Sequence, residues 1–297
     1  MKQDLVPRAV ARVVVRRTVR PLLHPRVPLA VRRKGLELGG AGAGLPTGTQ
    51  VETEVLGDRP AELLSPALFD PARTVLLLHG GAFTTCSPAT HRALAAHLAA
   101  SSHRQVHVLD YRLAPEHPYP AALEDAEAAY LALVDRGTAP TDIALVGDSA
   151  GAGLALSLAV RLREACVPLP GALGLLSPWV DLSLSTPSVR DDRRDPLLRF
   201  SWLEESAQQY AGQVPRTDPG VSPLLADLSG MPRTMVQVGS DEILRPDAAR
   251  LAARLEAQGV LVHVRVGRDL WHDWHLLAGT VPEATAAVAE LGAFLRR

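Results

Sequence analysis

The sequence predicts an α/β fold in which helices cover both faces of a mostly parallel sheet. From about residue 50, short aliphatic runs alternate with stretches of helical length, and this alternation is typical of parallel sheets. Most of the runs lack polar alternation, as expected of strands that are buried on both faces. The chain has 297 residues, of which 47% are hydrophobic and 21% charged, so it can bury the core that such a sheet requires.

The strands are predicted in the order in which the runs occur. "QVETEVL" alternates as a half-buried strand does, and it is followed by "RTVLLLH", "VHVLDY", "DIALVG", "ALGLLS", "TMVQVG" and "VLVHVRV". Helices are predicted between them at 89–101, 120–136, 150–165, 246–258 and 283–296. Because sites in such sheets lie at the carboxyl ends of the strands, the residues that follow each run are the candidates for function.

Two regions break the alternation, and we expect them to form a helical cap over the sheet. Residues 1–45 are the first, and they end in "GGAGAG", which is typical of a linker because no strong strand precedes it. Residues 183–222 are the second, with a charged loop and then a helix around 200–211. The core is predicted to comprise 46–182 and 223–297.

The N-terminus is strongly basic. Residues 1–34 contain ten Lys or Arg and one Asp, a formal charge of +9, so the remainder carries −10 to give the total of −1. Arginines recur every four residues between valines, which predicts an amphipathic helix that ends near Pro21; they are Arg8, Arg12, Arg16 and Arg20. The favoured interpretation is a helix that covers an acidic body. The alternative is peripheral contact of residues 1–34 with anionic lipid.

Composition excludes several classes of function. Nucleic-acid binding is not expected, because the remainder of the chain is acidic and aromatic residues make up only 4%. No apolar stretch is long enough for a transmembrane helix, and the N-terminus lacks the apolar core of a secretory signal. With only Cys86 and Cys166, a disulfide framework is not expected, and a reducing cytoplasm fits best.

The first chemical motif is "GDSAG", residues 147–151, which lies between a predicted strand and a predicted helix. Gly-x-Ser-x-Gly in this context is typical of a nucleophile elbow, a turn so tight that only small residues fit beside the serine. Ser149 is therefore the candidate nucleophile. The backbone N–H of Ala150, at the start of the helix, can face a developing oxyanion.

A second motif, "HGGAF", follows the run "RTVLLL". A loop that presents successive N–H groups to a substrate oxygen needs small residues, and Gly80, Gly81 and Ala82 supply them. His79 is expected to hold this loop rather than to act as a base, because the base of such sites comes later in the chain. Cys86 is expected to be a core or pocket thiol.

The third motif, "GSDEILRPD", follows the run "TMVQV". A histidine that acts as a general base needs a buried carboxylate that fixes the tautomer of its imidazole ring. Asp241 is the candidate, with Glu242 and Asp247 as competitors. Asp247 is better suited to cap or to form an ion pair in the helix that follows.

The last motif, "RDLWHDWHLL", contains two histidines. The order serine, acid, histidine requires the base after the last strand. Asp273 can cap a helix that begins there, which leaves His272 in the loop and His275 in the first turn. We therefore predict that His272 is the base and that His275 packs. A metal site is not expected, because two histidines need a third ligand.

Together these motifs resemble the hormone-sensitive-lipase-like esterases of the α/β-hydrolase superfamily. The resemblance runs from about Val75 to the C-terminus and also includes "DYRLAPEHPYPAALED" and "SPWVDLS". In that family the catalytic histidine follows an apolar residue and one variable position and precedes an aromatic residue by two. Leu270, His272 and Trp274 fit this frame.

The resemblance implies an α/β-hydrolase fold and a mechanism. Ser149 attacks an ester carbonyl, His272 takes and returns the proton, and Asp241 orients His272. The N–H groups of Ala150 and of Gly80, Gly81 or Ala82 hold the oxyanion, and water then releases the acid. Neither a cofactor nor a metal is implied. Structural roles are implied for Tyr111, Arg112, Pro115 and Glu116.

The expected function is that of a carboxylesterase for short to medium acyl chains, which acts on a small-molecule ester as a monomer or homodimer. Ala82 stands where the family most often has a third glycine, and alanine there is associated with room for bulky alcohol groups. One alternative is a lipase that acts at lipid surfaces. The other is a non-catalytic ligand-binding homologue, although the retained histidine favours an enzyme.

Overall fold

The computed structural model describes residues 5–40 and 44–297. Lys2 and Asp4, which contribute to the N-terminal charge, and residues 41–43 of the expected linker lie outside the described residues. Gly39 and Gly40, which begin that linker in the sequence, instead end a helix.

Among the described residues, eight strands form one sheet in the order β1-β2-β4-β3-β5-β6-β7-β8. The strands are β1 Gln50–Leu56, β2 Arg59–Ser65, β3 Thr74–Leu78, β4 Gln105–Leu109, β5 Ile143–Asp148, β6 Ala172–Leu176, β7 Thr234–Gly239 and β8 Val262–Gly267. β2 pairs antiparallel with β1 and β4, and all other pairs are parallel. The prediction of a mostly parallel sheet is confirmed.

The described helices lie close to their predicted positions. They are α1 Arg8–Leu22, α2 Leu29–Gly40, α3 Pro88–Ser102, α4 Ala121–Asp135, α5 Ala150–Glu164, α6 Phe200–Ala211, α7 Arg245–Ala257 and α8 Pro282–Arg296. α1 continues one residue past Pro21, because proline in the last turn of a helix need not end it at once. No helix in the described part of the chain is long and apolar enough to cross a membrane.

Alternate residues of the central strands pack on opposite faces of the sheet. In β3, Leu76 and Leu78 belong to a core that includes apolar residues of α4, α5 and α7. Val75 and Leu77 belong to a second core, with residues of α3 and α8. The sheet is therefore a middle layer between two layers of helices, as expected of strands without polar alternation.

The two ends of the sheet differ from the prediction. β2 was not predicted, because "RPAELLS" lacks an aliphatic run. The run "VLVHVRV" suggested burial, yet Val264 and Val266 of β8 are 46% and 45% exposed, because β8 is an edge strand.

The arginines of α1 face the rest of the chain. Arg12 pairs with Asp241 at 2.8 Å, and Arg20 pairs with Asp192 at 2.8 Å. Arg8 contacts Asp269 at 3.2 Å. These contacts agree with the interpretation in which the basic helix covers an acidic body. The valines on the other side of the helix are about half exposed; they are Val10, Val13 and Val14.

Candidate active site

Ser149 lies in a sharp turn between β5 and α5. Its backbone has φ 51° and ψ −117°, a conformation that non-glycine residues rarely adopt. The turn leaves no room for side chains beside the serine. A Cβ at Gly147 would lie 2.3 Å from the carbonyl carbon of Gly151, and a Cβ at Gly151 would lie 1.9 Å from the carbonyl oxygen of Leu78. This geometry is that of a nucleophile elbow.

The hydroxyl of Ser149 meets the imidazole of His272. Their Oγ and Nε2 atoms are 2.8 Å apart, and both residues are buried. His272 lies in the loop between β8 and a short 3-10 turn, Trp274–Leu277, as its predicted register requires. The structure therefore joins the predicted nucleophile to the predicted base.

His275 does not take part in this contact. It lies in the 3-10 turn, where its Nε2 is 3.1 Å from Oε1 of Gln237. Burial lowers the pKa of His275 to about 3, so the ring is neutral. These contacts are those of a packing residue.

The carboxylate that contacts Nδ1 of His272 is that of Glu242, and not that of Asp241. Oε2 of Glu242 lies 3.2 Å from Nδ1 of His272, and the glutamate is buried. Asp241 points instead towards α1, where its Oδ2 accepts a hydrogen bond from Arg12 at 2.8 Å. Asp247, in the first turn of α7, accepts the backbone N–H of Asp181 at 3.2 Å.

Two further hydrogen bonds explain why the glutamate turns inward. Its Oε1 accepts the N–H of Gly239 at 2.6 Å and the hydroxyl of Ser177 at 2.7 Å. Ser177 follows β6, so the carboxylate is held between the ends of two neighbouring strands. With Oε1 occupied in this way, Oε2 is left for the imidazole.

Of the three N–H groups of the loop "HGGAF" that were predicted as donors, two have no acceptor among the described residues. The N–H of Gly80 is already used, since it donates to Oδ1 of Asp148 at 3.0 Å. Within the described residues, the N–H groups of Gly81, Ala82 and Ala150 donate to no acceptor. These three N–H groups are therefore available to an acceptor from outside the chain, whereas that of Gly80 is not.

A buried ion pair beneath this loop was not found from the sequence. Nε2 of His91 lies 3.0 Å from Oδ2 of Asp148. Burial alone would lower the pKa of His91, but contact with Asp148 outweighs it and the net pKa is raised. The sequence gives no signal for the pair, because its members lie far apart in the chain.

His79 and its neighbours have structural contacts. His79 stacks on Tyr111 with ring centroids 4.2 Å apart, and burial with the nearby His91 lowers the pKa of His79 to about 3. The hydroxyl of Tyr111 donates to the carbonyl of His79 at 2.6 Å. Arg112 pairs with Asp125, Glu116 pairs with Arg33, and Pro115 follows a cis peptide bond.

Asp273 lies beside the base and does not cap a helix. Its side chain makes no capping hydrogen bond, and its Oδ2 is 3.0 Å from Nε2 of His272. Burial raises the pKa of Asp273 to about 7, although contact with His272 opposes the shift. The sequence suggested only a capping role, so this contact was missed.

Two small cavities meet at these residues. One of about 210 Å³ is lined by apolar side chains of α1 and α2, including Val15, Val19 and Leu36, and also by His272. The other, of about 80 Å³, is lined by Ser149, His272, Gly81 and Trp202 among others. Both volumes are smaller than the roughly 300–1,000 Å³ of pockets that bind drug-sized ligands. No group of His, Cys, Asp or Glu in the described ranges has the geometry of a metal site.

Comparisons with known proteins show the same fold. A family model described as alpha/beta hydrolase fold matches residues 75–276. An acetyl-hydrolase of Streptomyces hygroscopicus is 41% identical over 85% of this chain and 84% of its own length. The crystal structure of an esterase from the bacterial hormone-sensitive lipase family is 36% identical and superposes with a TM-score of 0.92, over 100% of this chain and 99% of the other. The structure of EstE5 soaked with p-nitrophenyl butyrate is 34% identical, with a TM-score of 0.92 over 97% of each chain.

Proposed function

Because the chain belongs to the hormone-sensitive-lipase-like carboxylesterases of the α/β-hydrolase family, we propose that it hydrolyses esters of short to medium acyl chains with a triad of Ser149, His272 and Glu242. The observation that carries this proposal is the 2.8 Å contact between Ser149 Oγ and His272 Nε2 on a strained elbow. Strain at a buried serine beside a histidine is typical of a nucleophile that the fold holds in place.

The proposed reaction has two halves. Ser149 attacks the ester carbonyl while His272 accepts its proton at Nε2, and the imidazolium then gives that proton to the leaving alcohol. Glu242 accepts a hydrogen bond from the Nδ1–H group, which keeps that proton on Nδ1 and leaves Nε2 free to act as the base. In the second half, water attacks the acyl-enzyme with the same assistance and releases the acid.

The N–H groups of Gly81, Ala82 and Ala150 are the proposed oxyanion donors, since none donates to another acceptor among the described residues. The ion pair of His91 and Asp148 fixes the loop that carries two of them, because Asp148 also accepts the N–H of Gly80. Donors that are fixed before the reaction need no reorganisation when charge develops on the substrate oxygen.

The size of the cavities supports the proposed acyl range. The larger cavity is about 210 Å³ and mostly apolar, and the smaller one beside Ser149 is about 80 Å³. A long acyl chain would have to displace the helices α1 and α2 that line the larger cavity. We treat residues 1–45 and 183–222 as the cap that sets this limit.

The test compares hydrolysis of p-nitrophenyl butyrate by wild type and by Ser149→Ala. Loss of the nucleophile is expected to reduce kcat by several orders of magnitude, to about the residual rate of the oxyanion donors alone. Equal activity in the two proteins would sink the mechanism. A series from acetate to palmitate esters tests the acyl range. The highest kcat/KM is expected for acyl chains of about eight carbons or fewer, because the cavities are small.

Action at a lipid surface is the second candidate, and one observation favours it. The outer face of α1 exposes Val10, Val13 and Val14 by about half each, beside Arg17. Its inner face lines the cavity through Val15 and Val19. A helix with these two faces can contact anionic lipid on one side and substrate on the other.

Sedimentation with anionic vesicles tests the lipid candidate. The full chain and a Val13→Ser, Val14→Ser variant are compared at low and physiological salt, and activity is measured on emulsified long-chain triglyceride. Equal sedimentation of both proteins would reject contact through this face.

For location we propose a reducing cytoplasm, because Cys86 and Cys166 are both free thiols.

A further inference from the structure

Asp273 contacts the atom of the base that takes the proton from the nucleophile. Nε2 of His272 lies 2.8 Å from Ser149 Oγ and 3.0 Å from Asp273 Oδ2. Asp273 is 7% exposed and lines both cavities. Its other oxygen, Oδ1, is buried and has no hydrogen-bond donor within the described residues.

Structural needs do not account for a carboxylate in this position. Asp273 makes no capping bond, and its backbone has φ 53°, where aspartate is tolerated but asparagine and glycine fit as well. A buried carboxylate with an unpaired oxygen costs folding free energy. A cost retained beside a reacting group indicates a role in the reaction.

The surroundings of the base contain several charged or titratable groups. Glu242 contacts Nδ1, whereas Asp273 is the carboxylate in contact with Nε2 in the described part of the chain. Burial lowers the pKa of His272, but contact with Asp273 and Glu242 outweighs burial, and the net pKa lies well above its usual range. The remaining groups are Asp148 of β5, His91 of α3, His79 and Cys86 of the loop after β3, Asp195 of the cap insertion, His275, and the pair of Asp241 with Arg12.

Most of these groups are paired or neutral. Asp148 is paired with His91, and Asp241 with Arg12. Burial raises the pKa of Cys86 to about 12, so its thiol carries no charge. Asp195 is held by the backbone N–H groups of Leu197, Leu198 and Ile243. Asp273 is therefore the group whose charge acts most directly on Nε2.

We propose that Asp273 is a positioning residue that acts through His272 by stabilising the imidazolium at Nε2. The inference rests on the proposed triad. In the free enzyme the charge of Asp273 favours the protonated imidazole, and while Nε2 carries that proton it cannot accept the proton of Ser149. When that proton leaves to solvent, Nε2 becomes the base. After attack, Nε2 carries the serine proton, and Asp273 again faces a cation.

The charge of Asp273 has two effects on the pH-rate profile, one that lowers the rate at acidic pH and one that raises the maximum rate. A carboxylate beside the imidazole favours the protonated ring, so the acid limb of the pH-rate profile moves to higher pH. The same carboxylate stabilises the imidazolium of the transition state, so the rate above that limb is greater. Loss of Asp273 should therefore lower the pH of the limb and also lower the plateau.

The test uses Asp273→Asn and Asp273→Gly, because both residues suit a positive φ. The control is Asp58→Asn, an exposed aspartate with φ 65° in the turn between β1 and β2. The assay measures kcat and kcat/KM for p-nitrophenyl butyrate between about pH 5 and pH 10, where kcat/KM reports groups of the free enzyme.

Both Asp273 variants are expected to shift the acid limb down by about one pH unit or more. Their plateau kcat should fall about tenfold or more while KM changes less than about twofold. A packing defect would lower the plateau without moving the limb. An unshifted limb in both variants would overturn the inference, as would an equal shift in Asp58→Asn.

A measurement on the wild-type enzyme does not depend on folding of a variant. The imidazole N–H resonances of His272, assigned by their loss in His272→Gln, should titrate above the ordinary histidine value of about 6.5. A midpoint at or below that value contradicts the proposal. If Ser149→Ala keeps full activity, the triad itself fails; if Ser149→Ala is inactive but the limb does not move, only the role of Asp273 fails.

Discussion

Replacement of Glu242 by glutamine tests which carboxylate orients the base. Oε1 of Glu242 accepts hydrogen bonds from Ser177 and from the N–H of Gly239. In Glu242→Gln the amide oxygen must remain there, so the amide NH₂ faces Nδ1 of His272. Nδ1 must then accept a hydrogen bond, and the ring proton moves to Nε2. In that tautomer Nε2 cannot take the proton of Ser149.

The magnitude follows from the loss of both tautomer and charge. A wrong tautomer in a serine triad reduces kcat by about 10⁴. We expect Glu242→Gln to reduce kcat by about 10³–10⁴, which corresponds to roughly 4–5.5 kcal/mol of transition-state stabilisation. KM should change little, because the carboxylate lies behind the imidazole, on its Nδ1 side.

Asp241→Asn is the matched control, because it removes one charge from the neighbouring residue. Asp241 pairs with Arg12, and the two side chains are 20% and 27% exposed. Partly exposed pairs of this kind contribute up to about 1 kcal/mol. We therefore expect unfolding free energy to fall by less than about 1 kcal/mol and kcat to stay within about threefold.

The assay is hydrolysis of p-nitrophenyl butyrate at the pH of maximum rate, with urea unfolding of each variant. Steady-state kinetics separate kcat from KM, and unfolding shows whether the variants retain the fold. The reasoning is refuted if Asp241→Asn loses as much activity as Glu242→Gln. It is also refuted if Glu242→Gln keeps more than about a tenth of wild-type kcat.

Three further predictions concern other side chains. His272→Ala should lower kcat by several orders of magnitude, whereas His275→Ala should mainly lower the unfolding free energy, by about 1–3 kcal/mol. Steady-state kinetics and urea unfolding measure both quantities, and a larger loss of kcat in His275→Ala than in His272→Ala would contradict the assignment. Because burial raises the pKa of Cys86 to about 12, iodoacetamide at neutral pH should label the exposed Cys166 and leave Cys86 unmodified, as peptide mass spectrometry would show. Ala82 has φ 55°, so Ala82→Gly should remove backbone strain and raise the unfolding free energy by up to about 1 kcal/mol, and a loss would contradict this account.

The central sheet was predictable because burial on two faces leaves a visible pattern. Strands such as Thr74–Leu78 consist of aliphatic residues, and the helices between them have nearly the predicted bounds. β2 lacks that pattern, and the feature of the sequence that could have indicated this strand is the turn between β1 and β2. Gly57 and Asp58 have φ 58° and 65°, and two such residues are typical of a tight hairpin.

The contact between Ser149 and His272 was predictable from local sequence, but the carboxylate that contacts Nδ1 of His272 was not. Asp241 and Glu242 are adjacent, so their side chains leave the chain in different directions and spacing along the sequence cannot rank them. The choice is made by Ser177 and the N–H of Gly239, which bind the carboxylate of Glu242. Ser177 belongs to another strand end, so the deciding contact is tertiary.

Which N–H groups of the loop after β3 are available as donors was also not predictable from the sequence, as Gly80 shows. The sequence indicated a loop of small residues, which is enough to predict N–H donors but not which of them are already used. Asp148 precedes Ser149 in the chain, and only the fold brings its carboxylate to the N–H of Gly80. The pairing of Asp148 with His91 then fixes the loop from below.

The ion pairs of α1 and α2 explain the unequal charge of the chain. Residues 1–34 carry +9 in sequence, and arginines of α1 and α2 pair with acidic residues of the body and of the cap insertion, as in Arg20 with Asp192 and Arg32 with Glu205. One such pair, Arg12 with Asp241, lies next to the proposed acid Glu242. The aspartate that the sequence suggested as the acid therefore joins the first cap helix to the loop that carries the acid. Since α1 also lines the larger cavity beside His272, one ion pair connects the wall of that cavity with the loop that carries Glu242.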